Sequence, residues 1–184
     1  ISTNPCSEIT LSAYDSCRLL LLNLTSFVDE PFTENSRFDY ELFNKYSQKA
    51  QRLMDDLIDL EIECVDRIIQ KITCDPESRD AKRVELDLWR KIREAALNGR
   101  RTGLGVTGLG DTLAMLGLKY GSPDSIRETE DIYRTLAIAA YKSSCMLAKE
   151  RGAFLVYDFV KEEGHPFMER LFKAHPQLRH LHRK

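Results

Sequence analysis

The chain has 184 residues and a mass of 21.2 kDa, the span of one ordinary domain, and a folded chain of this size buries roughly 70% of the surface its unfolded form exposes. Its 42% hydrophobic and 30% charged residues exclude intrinsic disorder and collagen-like repeats. Lys and Arg total 27 against 29 Asp and Glu, and the net charge of −2 supplies no field for holding nucleic acid or an anionic membrane. No apolar run approaches the roughly 20 residues of a bilayer span. The opening residues Ile1 to Cys6 lack both a methionine and the basic and apolar regions of a signal peptide, so the sequence is expected to be processed or internal to a longer protein. Five cysteines, at 6, 17, 64, 74 and 145, show neither CxxC pairs nor zinc spacing and fit a reducing cytoplasm.

Residues 1–17 read as a loop with short extended pieces, because Pro5 fixes its own φ and pushes Asn4 away from helix. The run Arg18-Leu19-Leu20-Leu21-Leu22-Asn23-Leu24-Thr25 is apolar on both faces, which favours a buried strand within residues 18–28. Residues 36–173 are expected to be mainly helical. Ser36 and Asp39 are placed as a cap and its acidic partner, ahead of a stripe at Leu42, Tyr46, Ala50, Leu53, Leu57, Leu60, Cys64, Ile68 and Ile72. A second helix runs from about Ala81 to Asn98, with Leu88, Trp89, Ile92 and Ala96 inward and Gly99 as its stop. A short third helix carries Val106, Leu109, Leu113 and Leu116 and ends at Gly117. Ser122-Pro123 opens a long helix that Gly152 ends. Phe154–Tyr157 reads as a short strand, and Pro166–Lys173 as a final helix. Cys64, Cys74 and Cys145 fall on helices, where a free cysteine is usually a small buried hydrophobe.

Several features are decoys. Gly103-Leu104-Gly105-Val106-Thr107-Gly108 spells GxGxxG, but a dinucleotide fingerprint must follow a strand, and this one follows a helix, so close packing is the better reading. Arg100-Arg101 before it suits either an anion or the dipole of a helix end. Asp55, Asp56, Asp59, Glu61, Glu63 and Asp66 lack the Glu-x-x-His companions of a carboxylate metal bundle and read as a solvated face, so no metal is expected. His165, His175, His180 and His182 read as a basic tail. Asn4, Cys6 and Glu8 are different. Alternation along an extended loop puts an amide, a thiol and a carboxylate on one side, a set able to hold a hydroxyl, to act as nucleophile or one-electron centre, and to move a proton. An ordinary loop with a buried cysteine remains the alternative, as does a nucleophilic Cys6 activated by a distant histidine.

The run Ile1-Ser2-Thr3-Asn4-Pro5-Cys6-Ser7-Glu8-Ile9 resembles the Asn-x-Cys-x-Glu finger loop of the ribonucleotide reductase catalytic chain, and Cys17, eleven residues on, falls where that family places a redox cysteine. Residues Gly99 to Asp111 are similar to the family's glycine-rich stretch, and Arg151-Gly152-Ala153-Phe154 to the segment after its next long helix. The resemblance implies a mostly helical fragment of a ten-stranded α/β barrel, residues 1–184 forming part of that one domain with the finger loop at its amino terminus. It implies radical reduction of a ribonucleotide: Cys6 as thiyl radical, Glu8 exchanging a proton with the 3′ hydroxyl, Asn4 holding hydroxyls, and Asn4, Pro5, Cys6, Ser7 and Glu8 together binding substrate. Cys17 would form a disulfide with a cysteine outside this segment.

Pro5 and Asp15-Ser16-Cys17-Arg18-Leu19 resemble the adenosylcobalamin-dependent class. Ser7 stands where that class usually has glycine, and Arg18-Leu19-Leu20 replaces its common Asn-Leu-Gly. The alternative is no cofactor in this chain and a metal-containing radical-generating partner subunit. Further partners implied are the remaining segments of the reductase chain, a thioredoxin-like reductant and a second copy in a homodimer, with no nucleic acid or membrane. A non-catalytic helical interaction module with inert cysteines is the rival reading.

Overall fold

The first segment doubles back on itself. In the computed structural model, which describes residues 2–7 and 9–182, β1 (Ser2–Thr3) and β2 (Thr10–Leu11) pair antiparallel, with Ser2 opposite Leu11 and Thr3 opposite Thr10. The apolar run forms β3 (Arg18–Asn23). It ends sooner than expected, in a 3₁₀ turn over Leu24–Phe27 followed by β4 (Val28–Asp29). Asn23 sets this break: its Oδ1 accepts from the Thr25 N–H at 3.3 Å, an Asx contact that competes with the strand ladder. β3 is not buried on both faces, since Leu20 and Leu22 are half-buried while Leu19 and Leu21 are each 61% exposed.

β5 (Arg37–Phe38) pairs antiparallel with β4, Val28 opposite Phe38, and this displaces the expected helix start. Asp39, not Ser36, is the cap. Its Oδ1 accepts from the Leu42 N–H at 2.8 Å, while its own N–H donates to the Phe27 carbonyl at 2.7 Å. α1 (Tyr40–Cys74) then runs for 35 residues; Ala50 and Ile72 of the expected stripe face inward, but most of the buried face lies a position or two along from it. Phe43, Ala50, Met54, Ile58, Ile62, Val65 and Ile72 are buried, and Leu42, Tyr46, Leu53, Leu57, Leu60 and Cys64 are exposed. Two apolar stripes at helical spacing lie side by side, and tertiary packing selects between them.

α2 (Arg79–Gly99) is capped by Ser78, whose Oγ accepts from the Ala81 N–H at 3.3 Å. Gly99 is its last helical residue rather than its stop. Arg100 takes the left-handed conformation at φ 41° and donates its N–H to the Ala96 carbonyl at 3.1 Å. The glycine-rich stretch that follows is a strand, β6 (Thr102–Thr107), hydrogen-bonded to β3, so Val106 belongs to a strand and not to the third helix. α3 (Leu109–Met115) follows, then α4 (Pro123–Arg151), with Ser122 capping and Gly152 ending it as expected. Phe154–Tyr157 is a turn closed by the Tyr157 N–H on the Phe154 carbonyl at 2.9 Å, not a strand. Three helices follow among the described residues: α5 (Phe159–Glu162), α6 (Pro166–Ala174) and α7 (Pro176–His182).

The chain divides into two compact units. One comprises Ile1–Arg18, Leu53–Gly103 and Ala153–Asp158. In it the later part of α1 packs on α2 through buried Ile58, Ile62 and Ala96, and Arg93 forks onto Asp66 at 2.6 and 3.2 Å. The other comprises Leu19–Arg52, Leu104–Gly152 and Phe159–Lys184. Its main core joins Leu24, Phe27, Phe38, Phe43, Ile132 and Leu136, with Leu104 and Val106 of β6 packed against them. Phe43 meets Phe27 and Phe38 edge-on at centroid distances of 5.1 and 5.3 Å, contacts that each contribute about 0.5–1.5 kcal/mol beyond buried area. A second cluster gathers Met168, Leu171, Phe172 and Leu178 against Tyr141 and Cys145 of α4. Among the described residues no helix is long and apolar enough to cross a membrane.

β6 passes into α3 through Gly108, at φ 76°, where a Cβ would lie 2.8 Å from Asn23 Oδ1. Gly110, inside α3, has open space around its Cβ position. In the complete protein, Gly108→Ala is expected to lower stability by about 1–2 kcal/mol, and Gly110→Ala to raise it by about 0.5–1 kcal/mol. The order of the two urea unfolding midpoints around the parent's checks this.

Candidate active site

Asn4-Pro5 starts the turn that carries Cys6. The Ser7 N–H donates to the Asn4 carbonyl at 3.0 Å, which makes Asn4 to Ser7 a β-turn with asparagine and proline at the two positions that favour them. Asn4 also closes the wider loop. Its N–H donates to the Ile9 carbonyl at 3.3 Å, and its Oδ1 accepts from the Ile9 N–H at 3.2 Å. Its side chain is buried, whereas Cys6 is exposed at the turn and Ser7 adopts φ 61°. Strict alternation therefore does not describe residues 4–7, because the chain turns at Pro5-Cys6 where alternation needs extended backbone. Glu8 lies outside the described residues.

Cys17 is half-buried, with its Sγ 3.9 Å from the Arg18 carbonyl. Charged groups from three parts of the chain surround its segment. Asp15 is 4% exposed at its side chain; its Oδ2 accepts from Arg101 Nε at 2.8 Å and its Oδ1 from the Ser16 N–H at 2.8 Å. Arg18, 10% exposed, donates Nε to Glu61 Oε2 at 2.5 Å and Nη1 to the Ser16 carbonyl at 2.8 Å. One turn earlier on α1, Arg100 donates Nε to Asp55 Oδ1 and Nη1 to Asp59 Oδ1, both at 2.7 Å, and Nη2 to the Asp55 carbonyl at 2.9 Å. Burial alone would lower the Arg100 pKa; the hydrogen bonds from Asp55 and Asp59 outweigh it and hold the guanidinium charged beyond arginine's ordinary range.

Residues 1–177 match the family described as the ribonucleotide reductase barrel domain. The chain belongs to that family. Among its relatives, the vitamin B12-dependent ribonucleoside-diphosphate reductase of Mycobacterium tuberculosis is 32% identical over 153 residues, 83% of this chain and 18% of the relative. The enzyme of the same description from Thermoplasma acidophilum is 31% identical over 83% of this chain and 16% of its own length. The ribonucleoside-diphosphate reductase large chain of Neurospora crassa is 27% identical over 85% of this chain and 14% of its own length. The chain thus spans less than a fifth of the length of these relatives. This segment of the reductase barrel domain is mostly helical, and its described strands do not close a barrel.

The remaining candidates resolve into structural roles. The acidic series of α1 is solvated in part: Asp59, Glu63 and Asp66 are exposed as expected, whereas Asp55 is buried, and Asp55, Asp59, Glu61 and Asp66 each meet an arginine. Carboxylate oxygens of Asp55, Asp56 and Asp59 lie within 4.8 Å of one another, but Arg100 already bridges two of the three. Arg100 and Arg101 accordingly serve side-chain carboxylates. Gly103 and Gly105 lie within β6, not at the strand-to-helix turn a dinucleotide needs; a Cβ at Gly105 would come within 2.8 Å of Leu21 Cδ2. His165 caps α6 through Nδ1, and His182 Nε2 stands 3.1 Å from Glu162. Cys64 and Cys74 are exposed, contrary to expectation. Cys145 is half-buried, and burial, then the Glu162 charge, push its thiol up, which makes it a poor nucleophile.

Sequence reasoning gave Asp15 and Arg18 no charged partner, and read Glu61 as solvated and Arg101 as serving an anion or a helix end. The usable signal was the i, i+4 pair Asp55 and Asp59 beside inward Met54 and Ile58, which places those carboxylates at the edge of a buried face and calls for a cation. Arg100→Met is expected to cost the complete protein about 2–3 kcal/mol, since it removes the guanidinium that faces buried Asp55. Arg93→Met, whose partner Asp66 is exposed, should cost about 0.5 kcal/mol or less. Comparing the two denaturation midpoints tests the difference.

Proposed function

We propose that this chain carries part of the active site of a ribonucleotide reductase, within which residues 1–184 form one portion of a ten-stranded α/β barrel. β3 and β6 are then two of the barrel strands, and the exposed face bearing Leu19 and Leu21 is covered by other parts of the enzyme. The observation that carries the reading is the Asn4-closed turn with the Cys6 thiol at its tip in a chain of this family.

In this reading Cys6 Sγ, as a thiyl radical, takes the hydrogen atom from the 3′ carbon, and Glu8 takes the 3′ hydroxyl proton while the 2′ hydroxyl leaves as water. Asn4, Pro5, Cys6, Ser7 and Glu8 line the ribose. With Asn4 Oδ1 committed to the Ile9 N–H, the amide donors of Asn4 Nδ2 serve a substrate hydroxyl. Cys17 and a cysteine outside this segment supply two electrons and two protons and end as a disulfide. Glu8 then returns its proton to the 3′ oxygen, and the hydrogen atom returns from Cys6 to the 3′ carbon and restores the sulfur radical. One ribonucleotide and two thiols become one deoxyribonucleotide, one water and one disulfide. In the complete enzyme other parts of the barrel would cover the exposed Cys6 thiol, as suits a sulfur radical, which must meet only its substrate.

Adenosylcobalamin would supply the initial radical if this chain follows its B12-dependent relatives; the Neurospora relative's name carries no such dependence, and a metal-containing partner subunit is the alternative. Two grooves among the described residues, one edged by Glu41, Lys45 and Lys49 and the other by Glu169, Arg170 and Lys173, carry charged rims that do not suit a corrin. The steps assigned to this chain therefore begin with the radical already on sulfur. A thioredoxin-like reductant would reopen the Cys17 disulfide, and a homodimer is the assembly the reading favours.

Cys6→Ala in the complete protein is expected to abolish deoxynucleotide formation while leaving the circular dichroism spectrum unchanged. Turnover retained in that variant refutes the assignment. Assays with and without adenosylcobalamin separate the two radical sources.

A further inference from the structure

The segment that carries Cys17 is held by four charged side chains. Asp15 and Arg18 flank it in sequence, Glu61 comes from α1, and Arg101 comes from the entry to β6. Asp15 holds Arg101 at 2.8 Å, and Arg18 holds Glu61 at 2.5 Å and stands 4.0 Å from Asp15. The backbone is tied at the same place: Arg18 N–H donates to the Arg101 carbonyl at 3.4 Å, and Arg18 Nη1 donates to the Ser16 carbonyl, the peptide that precedes Cys17. These bonds fix the chain on both sides of Cys17 and so fix the direction of its Cα–Cβ bond. The Arg18 carbonyl then receives the thiol at 3.9 Å.

Two cations and two anions make the set neutral. The next charged groups are also paired, Arg100 with Asp55 and Asp59, and Lys91 with Asp87 and the Tyr14 ring. Asp15 and Arg18 are almost wholly shielded from water, so a change of one unit charge here is screened far less than on the surface.

We propose that Arg18 and Glu61, with Asp15 and Arg101, form a charge-balanced clamp that positions the Cys17 thiol within reach of reductant and sets the pH at which it ionises. This rests on the reading of Cys17 as the reducing cysteine. Arg18 and Glu61 are positioning residues: they act through Cys17 and touch no substrate. Removing Arg18's charge leaves the set net negative and disfavours the thiolate, whereas removing Glu61's charge leaves it net positive and favours it. A clamp that only stiffened the loop would respond to both changes in the same direction.

The test labels the complete, reduced reductase chain with iodoacetamide between pH 6 and 10 and follows the Cys17 peptide by mass spectrometry. At pH 7.5, Arg18→Gln is expected to slow Cys17 labelling roughly threefold or more, and Glu61→Gln to speed it by a similar factor. Arg18→Lys should stay near the parent rate, and the double variant Arg18→Gln with Glu61→Gln should return toward it. Should Arg18→Gln fail to fold, Glu61→Gln and Arg18→Lys carry the test. Equal-direction shifts, unmoved profiles, or no labelling of Cys17 at any pH overturn the proposal. Turnover of Cys17→Ser decides the underlying reading separately: sustained multiple turnovers would remove Cys17 as reductant whatever the labelling shows, and arrested turnover with unmoved labelling profiles would remove the clamp alone.

Discussion

A guanidinium or carboxylate taken out of bulk water needs an opposite charge at hydrogen-bond distance, since an unpaired one costs several kcal/mol. Three arginines meet that requirement within one compact unit, Arg18 on Glu61, Arg101 on Asp15, and Arg100 on Asp55 and Asp59. The first segment has little apolar surface of its own, and its two short strands pair only with each other. What ties its far end to the helices is this ionic junction. The position of Cys17 follows from the packing of α1 and α2, which present the carboxylates and lead into Arg100 and Arg101. The same helices would hold the same shape with neutral residues at those positions, but the segment carrying the thiol would lose its anchorage.

Features encoded by local chemistry were legible in the sequence. Ser122-Pro123 announces a helix start because a hydroxyl ahead of a helical pattern has a free N–H to satisfy, and it does so here. The face of α1 was not legible. Leu42, Tyr46, Leu53, Leu57 and Leu60 form as good a helical stripe as Phe43, Met54, Ile58, Ile62 and Val65, and only the aromatic core around Phe27 and Phe38 decides that Phe43 turns inward. β6 was hidden for another reason. Thr102, Leu104 and Val106 alternate with Gly103 and Gly105 at the period of a strand, but the glycines also spell a nucleotide-binding pattern and lower strand propensity.

The candidate site divides along the same line. Asn4-Pro5-Cys6-Ser7 is a turn that asparagine and proline dictate locally, and what reading the residues as extended missed was this turn chemistry. The partners of Asp15 and Arg18 were out of reach, because Arg101 and Glu61 lie 86 and 43 positions away in sequence, and no periodicity links them. An acidic helix face and an arginine pair each had an ordinary solvent-exposed reading; only folding shows that the two neutralise each other.

Ser7 holds a further consequence. Its φ of 61° lies where a side chain costs about 1–2 kcal/mol and glycine nearly nothing. The preference of Ser7 itself therefore does not hold this turn; the bonds that Asn4 makes to Ser7 and Ile9 do. Cutting those bonds would let the segment displaying Cys6 relax into another form, so the place of the thiol depends on an asparagine two residues away.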